Sequence, residues 1–150
     1  MTADCGDVGE ELDRARATYR QSGIGGRVGY GDRPALLIVD FQRGFTDPDC
    51  PVGGDLSAEI AATKILLDAA RHKGLPIAFT AVGFAVNGAD GATLLRKMPG
   101  LAVLVEKTPC CEIDERIKPQ SGKPVWIKRG SSAFFGTPIL PFLIALGWTR

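Results

Sequence analysis

Pro34-Ala35-Leu36-Leu37-Ile38-Val39-Asp40 is the stretch that decides the fold. Five apolar residues in a row, with no polar alternation, predict a strand buried on both faces. Such strands lie inside parallel sheets that carry helices on either side. The stretch after it holds Gly44, Asp47, Pro48, Asp49, Pro51, Gly53 and Gly54, and predicts a loop.

Working downstream, the clearest helix runs over 56–73. Leu56, Ile60, Leu67 and Ala70 form one stripe at helical spacing. Asp55 suits its amino-terminal cap; Arg71, His72 and Lys73 complement the dipole at its end; Gly74 follows the last turn. Residues 76–82 predict a second buried strand. Strand, helix and strand in about 45 residues make a βαβ unit with parallel strands. Residues 87–100 are a polar excursion with one helical turn over 92–97. A short helix is predicted over 111–117, a third strand over 124–128, a loop over 129–138 and an apolar helix over 139–146 ended by Gly147. Upstream, residues 10–19 predict a peripheral helix with Leu12 and Tyr19 on one face. Gly23, Gly25 and Gly26 close it. The alternation predicts a three-layer α/β/α sandwich with a parallel sheet. It is preceded by a peripheral helix and loop over 1–25, leaving 26–150 as the main domain.

Composition narrows the function classes. The chain has 150 residues, 45% of them hydrophobic, which suits one folded domain and excludes a disordered chain. Eighteen Lys+Arg against 17 Asp+Glu give a net charge of +1, no electrostatic reason to bind nucleic acid or an acidic membrane. No apolar run approaches the roughly 20 residues of a membrane span. Residues 1–16 lack the basic start and apolar stretch of a signal peptide, so a cytoplasmic protein is expected. The four cysteines, Cys5, Cys50, Cys110 and Cys111, fit no zinc spacing and are expected to be free thiols. Glu112 beside Cys110 and Cys111 disfavours a thiolate there.

Sites in open parallel sheets lie at the carboxyl ends of the strands. Asp40 closes the first strand and Lys128 the third. Ionisable groups there lose hydration and need partners. A carboxylate and an ammonium that meet across the sheet top can activate a nucleophile, or serve as a structural ion pair. Phe41, Phe45, Phe134 and Phe135 can line a pocket or fill the core; Phe45 and Phe134 are the substrate-pocket candidates. Gly23-Ile24-Gly25-Gly26-Arg27-Val28-Gly29 has Val28 where a dinucleotide fingerprint needs its third glycine. It also precedes a strand instead of following one.

Arg27-Val28-Gly29-Tyr30-Gly31-Asp32-Arg33-Pro34, with the strand and Asp40 after it, resembles the isochorismatase-like (cysteine hydrolase) superfamily. The segment Trp126-Ile127-Lys128-Arg129-Gly130-Ser131-Ser132-Ala133-Phe134-Phe135-Gly136-Thr137 carries a second match. The likeness runs from about Gly26 to Arg150 and is nearest the branch of N-carbamoylsarcosine amidase and related amidohydrolases. It implies a six-stranded parallel sheet of order 321456 and an Asp-Lys-Cys triad, with Asp40 and Lys128 in the first two places. The family cysteine follows a fourth strand, and no residue here matches it. The chain is therefore expected to be incomplete at its carboxyl end and inactive by itself. The whole protein is expected to hydrolyse a linear amide or ureido bond of a small molecule with release of ammonia, as a homo-oligomer, a dimer or tetramer. Nicotinamidase relatives bind a metal through an Asp and two His past the first strand. Residues 42–54 hold no His, so neither a metal nor another cofactor is expected. Two other readings stand beside this one: a non-catalytic α/β domain acting through protein partners, and a flavodoxin-like nucleotide binder. The latter lacks a phosphate loop after the first strand.

Overall fold

The computed structural model describes residues 5–24, 29 and 31–148. Gly25, Gly26, Arg27, Val28 and Tyr30, which belong to the predicted loop and to the first family motif, lie outside the described residues.

The chain forms two compact units, Met1–Tyr30 and Gly31–Arg150. The first holds helix α1 (Cys5–Gln21), longer than the predicted 10–19. Good helix formers and the pairs Glu10–Arg14 and Asp13–Arg16 support it. Both pairs are exposed and contribute little.

The second unit is built on three parallel strands: β1 (Leu36–Val39), β2 (Ile77–Val82) and β3 (Val125–Lys128). Their order is β1-β2-β3, which is the 3-2-1 half of the sheet that the resemblance implies. β2 is central, and all six of its residues are buried. That is why its sequence, Ile77-Ala78-Phe79-Thr80-Ala81-Val82, shows almost no polar alternation. The register pairs Val39 with Thr80 and Thr80 with Trp126, and Val82 with Lys128.

Side chains alternate across the sheet, so each strand feeds two cores. On one face Ile38, Ile77, Phe79 and Ala81 pack with Ile60, Leu67 and Ala70 of helix α3 (Ser57–His72), and with Ile113 and Ile117. On the other, Leu37 and Trp126 pack with Ile139 and Leu143 of a helix over Ile139–Ala145. Trp126 meets Phe142 edge to face, with ring centroids 4.7 Å apart. Helix, sheet and helix make the three layers. Burying each large apolar side chain such as Leu67 or Phe79 stabilises the fold by about 2 kcal/mol. Leu56, not Asp55, takes the N-cap position of α3 and makes no side-chain cap; Asp55, one residue earlier, accepts from the backbone N–H of Ser57 at 3.0 Å in a local turn. Gly74 takes a left-handed φ of 64° beyond its end.

Two further expectations are corrected. The stretch after β1 is not all loop, because Arg43–Thr46 forms a short helix, α2. Gly44 makes it possible: a Cβ there would lie 2.3 Å from Leu104 and 2.7 Å from the carbonyl of Cys110. The predicted short helix over 111–117 is replaced by two 3₁₀ turns, Pro109–Cys111 and Glu115–Ile117. Between them Ile113 pairs antiparallel with Gln42, and this tertiary pairing outweighs helix propensity. The helical turn predicted over 92–97 is present as α4 (Ala92–Lys97), and Ile139–Ala145 is α5. No described helix is long and apolar enough to cross a membrane.

Candidate active site

β1 makes its last ladder bond through Asp40, whose N–H donates to the carbonyl of Thr80 at 3.0 Å. Asp40 itself has a left-handed φ of 63°. Aspartate is among the few non-glycine residues that visit this region, at a cost of about 1 kcal/mol. The turn ends the strand and leads into α2.

Lys128 ends β3, two strand spacings away, or about 10 Å. Its flexible stem spans that gap above Val82. Nζ lies 2.8 Å from Asp40 Oδ2 and donates to the carbonyls of Gly130 at 3.0 Å and Ser131 at 3.1 Å. All three ammonium donors are therefore used. They have to be, because Lys128 is 2% exposed and a buried charge without partners is strongly destabilising. The carboxylate is less well served. Asp40 Oδ1 is buried and has no hydrogen-bond partner among the described residues. Burial pushes the Asp40 carboxyl above its usual range, and the hydrogen bond and charge of Lys128 offset part of that rise. The free oxygen has unused acceptor capacity, held beside an ammonium at the carboxyl end of the sheet.

Asp40 and Lys128 share a cavity of 230 Å³ with Phe45, Val82, Leu94, Met98, Leu101, Gly130 and Ser131. Phe45, a sequence candidate, is thus in its wall. Phe134 is half-exposed and is not part of that wall. Its neighbour Phe135 lines a larger cavity of 420 Å³, which adjoins the first through Leu94, Gly130 and Ser131. Phe41 packs against the core under α3. None of Cys50, Cys110 and Cys111 lines the cavity of the pair. Among the described residues, no three His, Cys, Asp or Glu side chains come close enough to hold a metal ion.

Gln42 was not apparent as a site-shaping residue. It is fully buried. Its Oε1 accepts from the Val82 N–H at 2.6 Å, and its Nε2 donates to the carbonyls of Val82 at 2.8 Å and Cys110 at 3.1 Å. Beyond Asp40 the main chain leaves the sheet, and the Gln42 amide takes the place of a strand residue. It satisfies both backbone groups of Val82 and braces the turn that carries Asp40. The one sequence signal is an amide three residues past the end of β1, set between Phe41 and Phe45. Arg129 was missed as well. Its guanidinium bonds the Gly83 carbonyl and the Glu106 carboxylate, and its Nε lies 2.6 Å from Asp90 Oδ2. These contacts hold the rim of the larger cavity.

Asp114 anchors the segment that pairs with Gln42. It receives hydrogen bonds from Arg116 at 2.8 and 2.7 Å and from the Thr46 hydroxyl at 2.7 Å. The Arg116 bonds above all hold its carboxyl far below the usual carboxylate range.

The sequence profile of the isochorismatase domain matches residues 34–150. Over 139 residues the chain is 36% identical to the maleamate amidohydrolase of Pseudomonas putida, covering 91% of this chain and 65% of that protein. Over 139 residues it is 30% identical to the N-carbamoylsarcosine amidase of an Arthrobacter species, covering 89% of this chain and 53% of that protein. The crystal structure of a cysteine hydrolase from Pseudomonas syringae pv. phaseolicola superposes with a TM-score of 0.69 at 25% identity, over 75% of this chain and 54% of that one. The chain spans from about half to just under two thirds of the length of these curated relatives. With a profile match over most of its length and a three-stranded parallel sheet ordered as the resemblance implies, the chain belongs to the isochorismatase family.

Proposed function

We propose that this chain carries the Asp–Lys part of a site that hydrolyses a linear amide or ureido C–N bond of a small molecule and releases ammonia. The observation that carries the proposal is the pair itself. Lys128 Nζ sits 2.8 Å from Asp40 Oδ2, while Oδ1 is left without a partner. In this reading Oδ1 takes the proton of a thiol brought to the cavity, acting as general base. The thiol belongs to a residue outside these 150, after a fourth strand, as the resemblance implies. The ammonium of Lys128 holds the carboxylate in place and lowers the energy of the thiolate. The sulfur attacks the carbonyl carbon, and backbone N–H groups beside the nucleophile hold the oxyanion. The tetrahedral intermediate expels ammonia, which leaves with the proton that Asp40 took. Water then hydrolyses the acyl-enzyme. Both named curated relatives are amide hydrolases, which supports an amide or ureido substrate of the N-carbamoylsarcosine or maleamate kind.

The test is ammonia release from maleamate and from N-carbamoylsarcosine by the protein expressed from its whole gene. Asp40→Asn and Lys128→Met are expected to lower kcat at least about 100-fold with the fold intact. Ammonia release by Asp40→Asn at the parent rate overturns the assignment. A second reading, a non-catalytic domain that acts through protein partners, is separated from the first by the same assay. Absence of ammonia release from either compound by the whole gene product would support it.

A further inference from the structure

Two thiols far apart in sequence meet in the second unit. Cys50 Sγ lies 3.3 Å from Cys110 Sγ, across 60 positions of chain. Both side chains are half-buried, within reach of small solutes. Both backbones are held in turns. The Cys50 N–H donates to the Asp47 carbonyl at 3.0 Å, and the Gly53 N–H donates to the Cys50 carbonyl at 2.9 Å. Gly53 allows this turn to close, since a Cβ there would stand 1.9 Å from the Asp47 carbonyl oxygen. Cys110 sits in the 3₁₀ turn Pro109–Cys111, with its carbonyl held by Gln42.

We propose that Cys50 and Cys110 are a redox-active dithiol, which a hydroperoxide closes to a reversible disulfide. A disulfide needs about 2.05 Å between sulfurs, so closure asks for a movement of about 1.3 Å, within reach of small side-chain rotations. The chemistry balances. One thiolate attacks a peroxide oxygen and breaks the O–O bond, giving a sulfenic acid and, from hydrogen peroxide, water. The second thiol then attacks the sulfenic sulfur and expels a second water. The two sulfurs lose two electrons and the peroxide gains them. A dithiol reductant reverses the step. Cys111 does not compete, because it is buried with Sγ 3.4 Å from the Val82 carbonyl. Adjacent cysteines also close only a strained ring.

The bond would staple the loop after α2 to the Pro109–Cys111 turn. Val52 of that loop and Cys110 pack in one cluster with Phe45, Leu94 and Leu101. Those last three residues line the cavity of Asp40 and Lys128. The staple therefore fixes the layer directly behind that wall. The inference does not depend on the reaction proposed for the cavity.

The experiment treats the purified protein with hydrogen peroxide at alkaline pH, then alkylates it and maps the peptides without reduction. The expected result is a loss of about 2 Da and a link between the peptides of Cys50 and Cys110. The apparent Tm is expected to rise by on the order of 5–10 °C, and dithiothreitol should reverse it. Cys111→Ser should still form the link, while Cys50→Ser and Cys110→Ser should not. Full alkylation of both thiols after peroxide, a link through Cys5 or Cys111, bonds only between chains, or sulfinic acid at either cysteine without a link would each overturn the proposal. The parent protein's own peptide map stands even where a variant folds poorly.

Discussion

Replacing Gln42 by leucine tests the claim that a side-chain amide completes the sheet. Leucine is close to glutamine in size, so the packing cost is small. The polar cost is not. The substitution leaves the Val82 N–H, the Val82 carbonyl and the Cys110 carbonyl without the partners seen at 2.6, 2.8 and 3.1 Å. An orphaned buried polar group costs about 1–3 kcal/mol. The Val82 carbonyl keeps a weak contact from Cys111 Sγ, so it counts at the low end. The expected loss is about 3–5 kcal/mol, a large part of the total for an ordinary domain. Gln42→Glu should do no better, since a carboxylate can accept from Val82 but cannot donate to either carbonyl. Urea unfolding is the assay, with the loss read as a lower midpoint at an unchanged slope. A loss below about 1 kcal/mol for Gln42→Leu would refute the reasoning, because it would mean that water or main chain satisfies these groups equally well.

Four further outcomes follow from other contacts of the structure. Asp40→Ala should destabilise by about 3 kcal/mol, since it strips the buried Lys128 ammonium of its carboxylate; Lys128→Met should instead raise the Asp40 carboxyl further, because burial then acts unopposed, as side-chain NMR titration would show. Asp114 makes acid destabilising: its folded pKa is depressed, so its contribution is full above the unfolded value near 4 and is lost as pH falls below it. Unfolding of Asp114→Asn should therefore depend less on pH in that range. Burial pushes the Cys111 thiol up to about 11, whereas Cys50, raised too by its bond to Cys110, stays half-buried, so iodoacetamide at mildly alkaline pH should label Cys50 well ahead of Cys111, which reacts fully only once urea unfolds the chain, as peptide mapping can read. Labelling of Cys111 at the rate of Cys50 in the folded protein would contradict its burial.

Much of the fold was legible because it rests on local signals. The unbroken apolar runs at 35–39 and 77–82 mark strands with no wet face, and the stripe of Ile60, Leu67 and Ala70 marks the helix that covers them. Asp40 and Lys128 were legible for the same reason, as ionisable residues set at the ends of apolar runs. The errors came where a distant contact outweighs local preference. The 111–117 stretch gave up a helix to pair with Gln42, and α2 forms among turn residues because Gly44 lets it pack under Leu104 and Cys110.

The sequence by itself therefore determined the layers, the parallel strands and the two strand ends that carry charge, since hydrophobic period and turn residues act within a few positions. Only the tertiary structure decided that Lys128 reaches Asp40 across β2, that Gln42 completes the sheet, and that Cys50 meets Cys110. Those contacts join residues 40 to 88 positions apart, and no local pattern encodes which distant partner satisfies a buried group.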